Sequence, residues 1–269
     1  MIRVLTLNVW GLPGIFFWDL APFREKRIRS VCSELTSQAW DFVLIQEAWR
    51  TEDRERFKKC GYPYILDLDS KQNRVDSGLL ILSRHPIHAD SAQRLRYRFN
   101  GDFLTCLTDG EFFANKSLVL ADFEHPTEGR ICVANTHLVA AGGMRDRYKP
   151  QRKLQIEQLS SAIQIKSKLG PVILGGDFNC GPSSEEWTEL TQGLDGFTVQ
   201  DCCPGAHPTY VKKDRREKLD HIFTSSHFRR IGSKIKFDHL VNHRGKSFTP
   251  SDHFGWESTF QPTKEIPLA

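Results

Sequence analysis

The 269-residue sequence has no long apolar run, no paired cysteines and almost no excess of charge. Each shortage excludes something. Near the start, the longest apolar stretch covers 11–18, far short of the ~18 apolar residues that suggest a membrane span. The seven cysteines (Cys32, Cys60, Cys106, Cys132, Cys180, Cys202 and Cys203) are odd in number and lack the paired spacing of a zinc site or redox motif, so they read as reduced and mostly buried. With 37 Lys and Arg against 33 Asp and Glu, the net charge of +4 does not demand a nucleic-acid partner. Met1 runs almost directly into a strand-like segment, without the basic, apolar and small-residue succession of a secretory leader. The expectation is a cytoplasmic chain, or one in peripheral contact with a membrane. No repeat, low-complexity tract or Gly/Ser-rich linker divides the sequence, so a single domain over 1–269 is expected.

What is present is β-rich. Short apolar runs predict strands over 3–9, 42–46, 79–83, 117–123, 130–137, 172–176, 219–224, 234–237 and 253–260, the last alternating Phe254, Trp256, Ser258 and Phe260 on one face. Helices are interleaved. Pro22 is placed to open one carrying Ile28, Val31 and Leu35, and Pro150 another carrying Ile156, Leu159 and Ile163. A Ser183-x-x-Glu186 capping box marks a third. The polar stretch 212–218 reads as a solvated loop. The architecture expected is α/β: two sheets packed face to face with helices outside.

Polar residues gather at the ends of these runs. Asn8 ends the first, Glu47 the second and His137 the fifth; Asp177 and Asn179 end the sixth, Asp220 lies in the seventh, and Asp252-His253 precedes the last. Singly, a strand-end Asp or Asn is most often a turn former or a helix cap. Together, two amides, several carboxylates and two histidines make the donor set for metal-assisted attack on phosphorus. Hard oxygens hold Mg²⁺, with Mn²⁺ able to replace it, and the absence of cysteine ligands argues against Zn²⁺.

The ordered set Asn8, Glu47, His137, Asp177-x-Asn179, Asp220 and Ser251-Asp252-His253 resembles the endonuclease/exonuclease/phosphatase superfamily over nearly the whole chain. That resemblance implies a four-layered α/β sandwich of the DNase I-like kind, two packed mixed sheets flanked by helices. Three stretches are similar to its neutral sphingomyelinase branch: Asn8-Val9-Trp10-Gly11-Leu12-Pro13, Gln46-Glu47-Ala48-Trp49, and 110–116, where Glu111 and Phe112 replace that branch's Asp and Trp ahead of Lys116. His137-Leu138-x-Ala140 also resembles it, whereas His221 stands where many relatives carry Tyr.

The resemblance implies hydrolysis of sphingomyelin, or a related choline phospholipid, to ceramide and phosphocholine. It assigns the metal to Glu47 with Asn8 and Asp252. Proton withdrawal from water goes to His253 backed by Asp220, water positioning to Asp177, and support of phosphoryl charge to Asn179, His137 and Lys116. The partner expected is a phospholipid at a membrane surface, reached through Ile15, Phe16, Phe17 and Trp18; oligomeric state is left open. The alternatives are a nuclease or phosphoinositide phosphatase, in which Arg145, Arg147, Lys149, Arg152 and Lys153 track a backbone, and an inactive binding module. For those cations a helix start with a solvated face is the favoured reading.

Overall fold

The structure, a computed structural model, describes residues 1–12, 21–69, 76–98, 114–141, 146–199, 207–212 and 215–263. In chain order its elements are β1 (Ile2–Asn8), α1 (Arg24–Ser37), β2 (Phe42–Gln46), α2 (Thr51–Phe57), β3 (Tyr64–Leu66), β4 (Leu80–Ser83), β5 (Ile87–Arg96), β6 (Ser117–His125) and β7 (Gly129–His137). There follow α3 (Lys149–Ser167), β8 (Val172–Asp177), α4 (Glu185–Gly193), β9 (Phe197–Val199), β10 (Tyr210–Lys212), β11 (Arg215–Glu217), β12 (Asp220–Ser225), β13 (Phe228–Lys236), β14 (Val241–His243), β15 (Lys246–Phe248) and β16 (Gly255–Pro262).

Alternation along the strands builds the layers, because successive side chains of a strand point to opposite faces. In β1 and β2, Ile2, Val4, Phe42 and Leu44 face a core shared with Val119, Ala121, Phe123, Ile131, Val133, Ile173 and Ile222 of the other sheet. Leu5, Leu7, Val43 and Ile45 point the other way, against Ile28, Val31 and Leu35 of α1. The second sheet repeats the scheme, with Leu118, Leu120, Ala134, Val172 and Leu174 packing on Ile156, Leu159 and Ile163 of α3. The result is two mixed sheets between helices, in the orders β13-β16-β1-β2-β4-β3 and β5-β6-β7-β8-β12-β9.

Several expectations need correction. Pro22 lies just outside α1 rather than in its first turn, and its carbonyl accepts from Arg27 Nε at 2.9 Å. The third helix is capped one residue later than the expected box: the Ser184 hydroxyl accepts from Trp187 N at 3.1 Å, and Glu186 is buried against Arg152 instead. In the 212–218 stretch the described residues are not all loop: β10 and β11 pair antiparallel, Lys212 with Arg215, and Lys218 is buried with its ammonium 2.9 Å from the centre of the Trp256 ring. Pro150 does sit in the first turn of α3. Cys60, Cys132 and Cys180 are buried free thiols and Cys32 is half-buried, whereas Cys106, Cys202 and Cys203 lie outside the described residues.

Candidate active site

Each sheet contains one parallel strand pair, β1 with β2 and β7 with β8, and β12 runs antiparallel to β8 with Asp220 opposite Asp177. The inner face of each sheet is apolar along most of its length and turns polar at this end. Thr6 and Asn8 continue the inner phase of β1, Gln46 that of β2, Asn135 and His137 that of β7, and Asp177 that of β8. Gln46 Nε2 donates across the gap to Asn135 Oδ1 at 2.7 Å, and Asn135 Nδ2 donates to the carbonyls of Ile45 and Leu80 at 2.8 and 2.9 Å. These bonds tie the sheets together directly beneath the cluster.

Beyond them the expected residues converge. Asn8 Nδ2 donates to Glu47 Oε1 at 3.0 Å and to Asp177 Oδ2 at 2.9 Å, so one amide spans the two sheets. Glu47 and Asn179 adopt left-handed backbone conformations, φ 61° and 49°, which turn the chain sharply as each strand ends. A Cβ on Gly11 would stand 2.2 Å from the Glu47 carbonyl, so the chain beyond β1 approaches this turn more closely than another residue allows. Asn179 Nδ2 donates to Leu138 O at 2.9 Å, and its N–H to Asp177 Oδ1 at 3.0 Å. His253 Nδ1 is 2.8 Å from Asp220 Oδ2, while its Nε2 is 3.8 Å from Asp177 Oδ2. Ser251 ties this arm to β1, donating to Asn8 O at 2.7 Å and accepting from His253 N at 3.2 Å.

Lys116 is buried, its Nζ 2.7 Å from His137 Nε2, and that nitrogen lies 3.5 Å from Asp177 Oδ2 and 4.0 Å from Glu47 Oε1. Asp252 is half-buried, its carbonyl accepts from Val211 N at 3.1 Å, and its charge acts on His253 and Tyr210. Phe16, Phe17 and Trp18 lie outside the described residues, as do Ile15, Glu111 and Phe112.

Burial and mutual charge set the protonation of the cluster. Burial, then the charge of Asp220, pushes the Asp177 carboxyl up to about 7. Burial opposes a charged His253 ring, but the carboxylates of Asp220 and Asp177 outweigh it and push the ring up to about 10. His137 goes the other way: burial, reinforced by the Lys116 ammonium, holds it well below the ordinary imidazole range, so it is neutral and accepts from lysine.

The donor set fits a divalent cation. Glu47 Oε2 and Asp220 Oδ1 are buried acceptors with no hydrogen-bond partner, and such oxygens are costly unless a cation or proton meets them. Ligating atoms of Asp177, Asp220 and His253 lie within 4.8 Å of one another, with Glu47 across Asn8 from them.

Two residues absent from the sequence-based set support the site. Thr209 is buried, and its hydroxyl accepts from the N–H groups of Leu219 and Asp220 at 3.0 Å each, fixing the start of β12. Tyr210 places its ring 5.0 Å from that of His253. A Pro-Thr-Tyr run at 208–210 ahead of the basic stretch is the only local signal for either. Of the cations of the alternative nucleic-acid track, Arg152 is buried between Asp146 and Glu186, Lys149 and Lys153 pair with Glu185 on α4 at 2.8 and 2.5 Å, and exposed Arg147 lies over the Tyr148 ring. Arg145 lies outside the described residues.

Residues 5–253 match the profile of the endonuclease/exonuclease/phosphatase family. A putative neutral sphingomyelinase of Drosophila melanogaster is 27% identical, over 94% of this chain and 59% of that protein. The inositol phosphosphingolipids phospholipase C of Schizosaccharomyces pombe is 29% identical, over 78% of this chain and 48% of its own length. The chain thus spans about half the length of the curated relatives it matches. Among solved structures, SmcL superposes with a TM-score of 0.75 at 18% identity, covering 96% of this chain and 98% of that one. A beta toxin mutant of Staphylococcus aureus with bound magnesium ions superposes with a TM-score of 0.68 at 19% identity, covering 96% and 98%.

Proposed function

This chain belongs to the endonuclease/exonuclease/phosphatase family, and from that premise we propose that it is a metal-dependent phosphodiesterase that hydrolyses sphingomyelin to ceramide and phosphocholine. The observation that carries the reading is the convergence of Asn8, Glu47, Asp177, Asp220 and His253 from both sheets, with the Lys116–His137 pair beside them. The sphingolipid choice rests on the relatives and on the stretches around Asn8, Glu47 and Lys116.

Glu47 and Asn8 would hold the cation, Mg²⁺ or Mn²⁺, with Asp252 the further ligand the resemblance implies and Asp177, across Asn8 from Glu47, placing the attacking water. Bound there, the cation supplies charge neutralisation for the phosphate. The protein's own groups do the rest. Asp220 accepts from His253 Nδ1–H, fixes the tautomer and leaves Nε2 to take a proton from water. The two carboxylates that raise the basicity of His253 also keep it protonated at rest. With a cation held at Glu47, its charge near Asp177 would weaken that hold on the His253 proton. As the water oxygen bonds to phosphorus and the ceramide oxygen leaves, taking a proton from solvent, the Lys116 ammonium and the amide of Asn179 support the growing phosphoryl charge. Neutral His137 orients that ammonium. Access to lipid is assigned to Phe16, Phe17 and Trp18 as a peripheral contact; no helix among the described residues is long and apolar enough to cross a membrane.

The test is chelation followed by Mg²⁺ add-back on vesicles of sphingomyelin, on an inositol phosphosphingolipid and on supercoiled plasmid. Metal-restored release of phosphocholine is expected. Release of inositol phosphate with sphingomyelin untouched would transfer the headgroup assignment to that of the yeast relative, and plasmid nicking alone would overturn the lipid reading.

A further inference from the structure

At the end of the sandwich remote from the phosphodiester cluster, side chains of both sheets meet a second time. Asp41 directly precedes β2, whose far end leads to Glu47. His85 follows β4, whose last residue, Ser83, pairs with Phe42. His125 closes β6, whose first residue, Ser117, pairs with His137. One ligating atom from each of Asp41, His85 and His125 lies within 4.8 Å of the other two. Asp41 Oδ1 is 2.9 Å from His85 Nε2, and the two imidazole rings stand 4.5 Å apart between centres. A zinc ion with bonds of about 2.0–2.1 Å sets its ligand atoms roughly 3.3 Å apart in a tetrahedron. The Asp41–His85 separation of 2.9 Å and the 4.8 Å limit for the whole cluster bracket that spacing.

The surroundings are those of ligands held in place. Asp41 Oδ2 accepts from Arg3 N–H at 2.7 Å, which fixes the carboxylate. Thr127 meets His125 Nδ1 with both its N–H and its hydroxyl at 3.3 Å. That hydroxyl donates to Glu128 Oε1 at 2.5 Å, so the Thr127 turn holds the His125 ring in place.

We infer that Asp41, His85 and His125 form a second metal site, taking zinc-class rather than magnesium-class ions, that clamps the two sheets opposite the catalytic cleft. The donor chemistry separates the two sites. Two imidazoles and one carboxylate suit Zn²⁺ or Co²⁺, whereas the oxygen-rich catalytic cluster suits Mg²⁺ or Mn²⁺. The clamp has a mechanical logic as well, because Phe42 packs against both His85 and Phe123, at 5.4 and 5.2 Å between ring centres, where the two sheets meet.

Co²⁺ is the probe, since its visible absorption reports tetrahedral, nitrogen-rich coordination. Metal-stripped protein carrying His253→Ala, which removes from the catalytic cluster the imidazole grouped with Asp177 and Asp220, is titrated with Co²⁺ and then with Zn²⁺. One equivalent is expected to bind with a tetrahedral band that Zn²⁺ displaces and excess Mg²⁺ does not. Zn²⁺ at 100 times its Kd should raise the melting midpoint by about 5 °C. Adding His125→Ala, or separately His85→Asn, should abolish both band and shift. His125→Gln, which keeps bulk and hydrogen bonding, replaces His125→Ala if that protein melts without cooperativity. No band in the His253→Ala protein, or a band that survives the changes at both His85 and His125, overturns the assignment.

Discussion

Lys116 is 7% exposed, an unusual state for a lysine, and its ammonium stands 2.7 Å from the His137 ring. Lys116→Ala is expected to lower kcat about 10²–10³-fold at saturating Mg²⁺, with an unchanged far-UV spectrum and a cooperative melt; wild-type turnover would remove it from the mechanism. Asp220→Asn should lower kcat by roughly 10²–10⁴-fold with little change in KM, because the amide disturbs the tautomer and basicity of His253 without emptying the site. His221 offers a stability test away from the chemistry. Burial pushes its ring down to about 3 from the ordinary 6.5, so between those values the unfolded chain binds a proton that the folded protein refuses. The contribution is complete above about pH 6.5 and is lost as pH falls toward 3, with a slope of up to about 1.4 kcal/mol per pH unit. Denaturant unfolding from pH 7 to 4 should therefore show a shallower decline for His221→Phe than for the parent. At this scale the sequence was informative for acids and amides, whose strand-end positions stand out. Lys116 was visible only through resemblance, since one lysine among 37 basic residues carries no local signal.

The strands that escaped sequence reading share a physical cause. β5 is an edge strand, mostly solvent-exposed, with a register shift between His88 and Gln93. Its polar residues show no alternation because the packing it answers to is one-sided and interrupted. β3, β9, β10, β11, β14 and β15 have three residues each, too few for a period to register. The buried runs β2, β4, β8 and β12 were legible because both their faces are covered. The helix pair α3 and α4 supports the site from behind. Arg152 Nη1 donates to Val139 O at 3.2 Å, and Gln155 Oε1 accepts from Val139 N at 2.8 Å, anchoring the chain just after His137 and Leu138. The same guanidinium neutralises Glu186 at 2.6 Å, and both side chains are buried. Arg152→Met should cost about 3–5 kcal/mol, because it leaves Glu186 buried without its partner. Arg152→Met combined with Glu186→Leu should recover most of that loss in urea unfolding. Equal losses in the single and double variants would show that the carboxylate is not the source.

For the molecule as a whole, the sandwich divides the site between its sheets. Asn8 and Glu47 belong to one, His137, Asp177 and Asp220 to the other, so under the proposed function the separation of the sheets would set the spacing of the reacting groups. A single amide measures that separation at the cleft, reaching Glu47 at 3.0 Å and Asp177 at 2.9 Å. The Gln46–Asn135 pair sets it one layer below. Apolar packing holds the rest of the gap, but it is non-directional and tolerates small slips that a hydrogen-bonded pair does not. The two functions of the polar pair can therefore be separated. Asn135→Leu strands the amide of Gln46 and should destabilise the fold by about 1–3 kcal/mol. Gln46→Leu with Asn135→Leu removes both partners and exchanges the pair for apolar volume, so stability should return to near the parent's. Turnover should not return with it, because the double variant keeps the core and loses the directional spacer beneath Asn8. Unfolding free energies and kcat for the parent, both single variants and the double variant decide the matter. If kcat recovers alongside stability, the spacing of the two halves is set by packing alone.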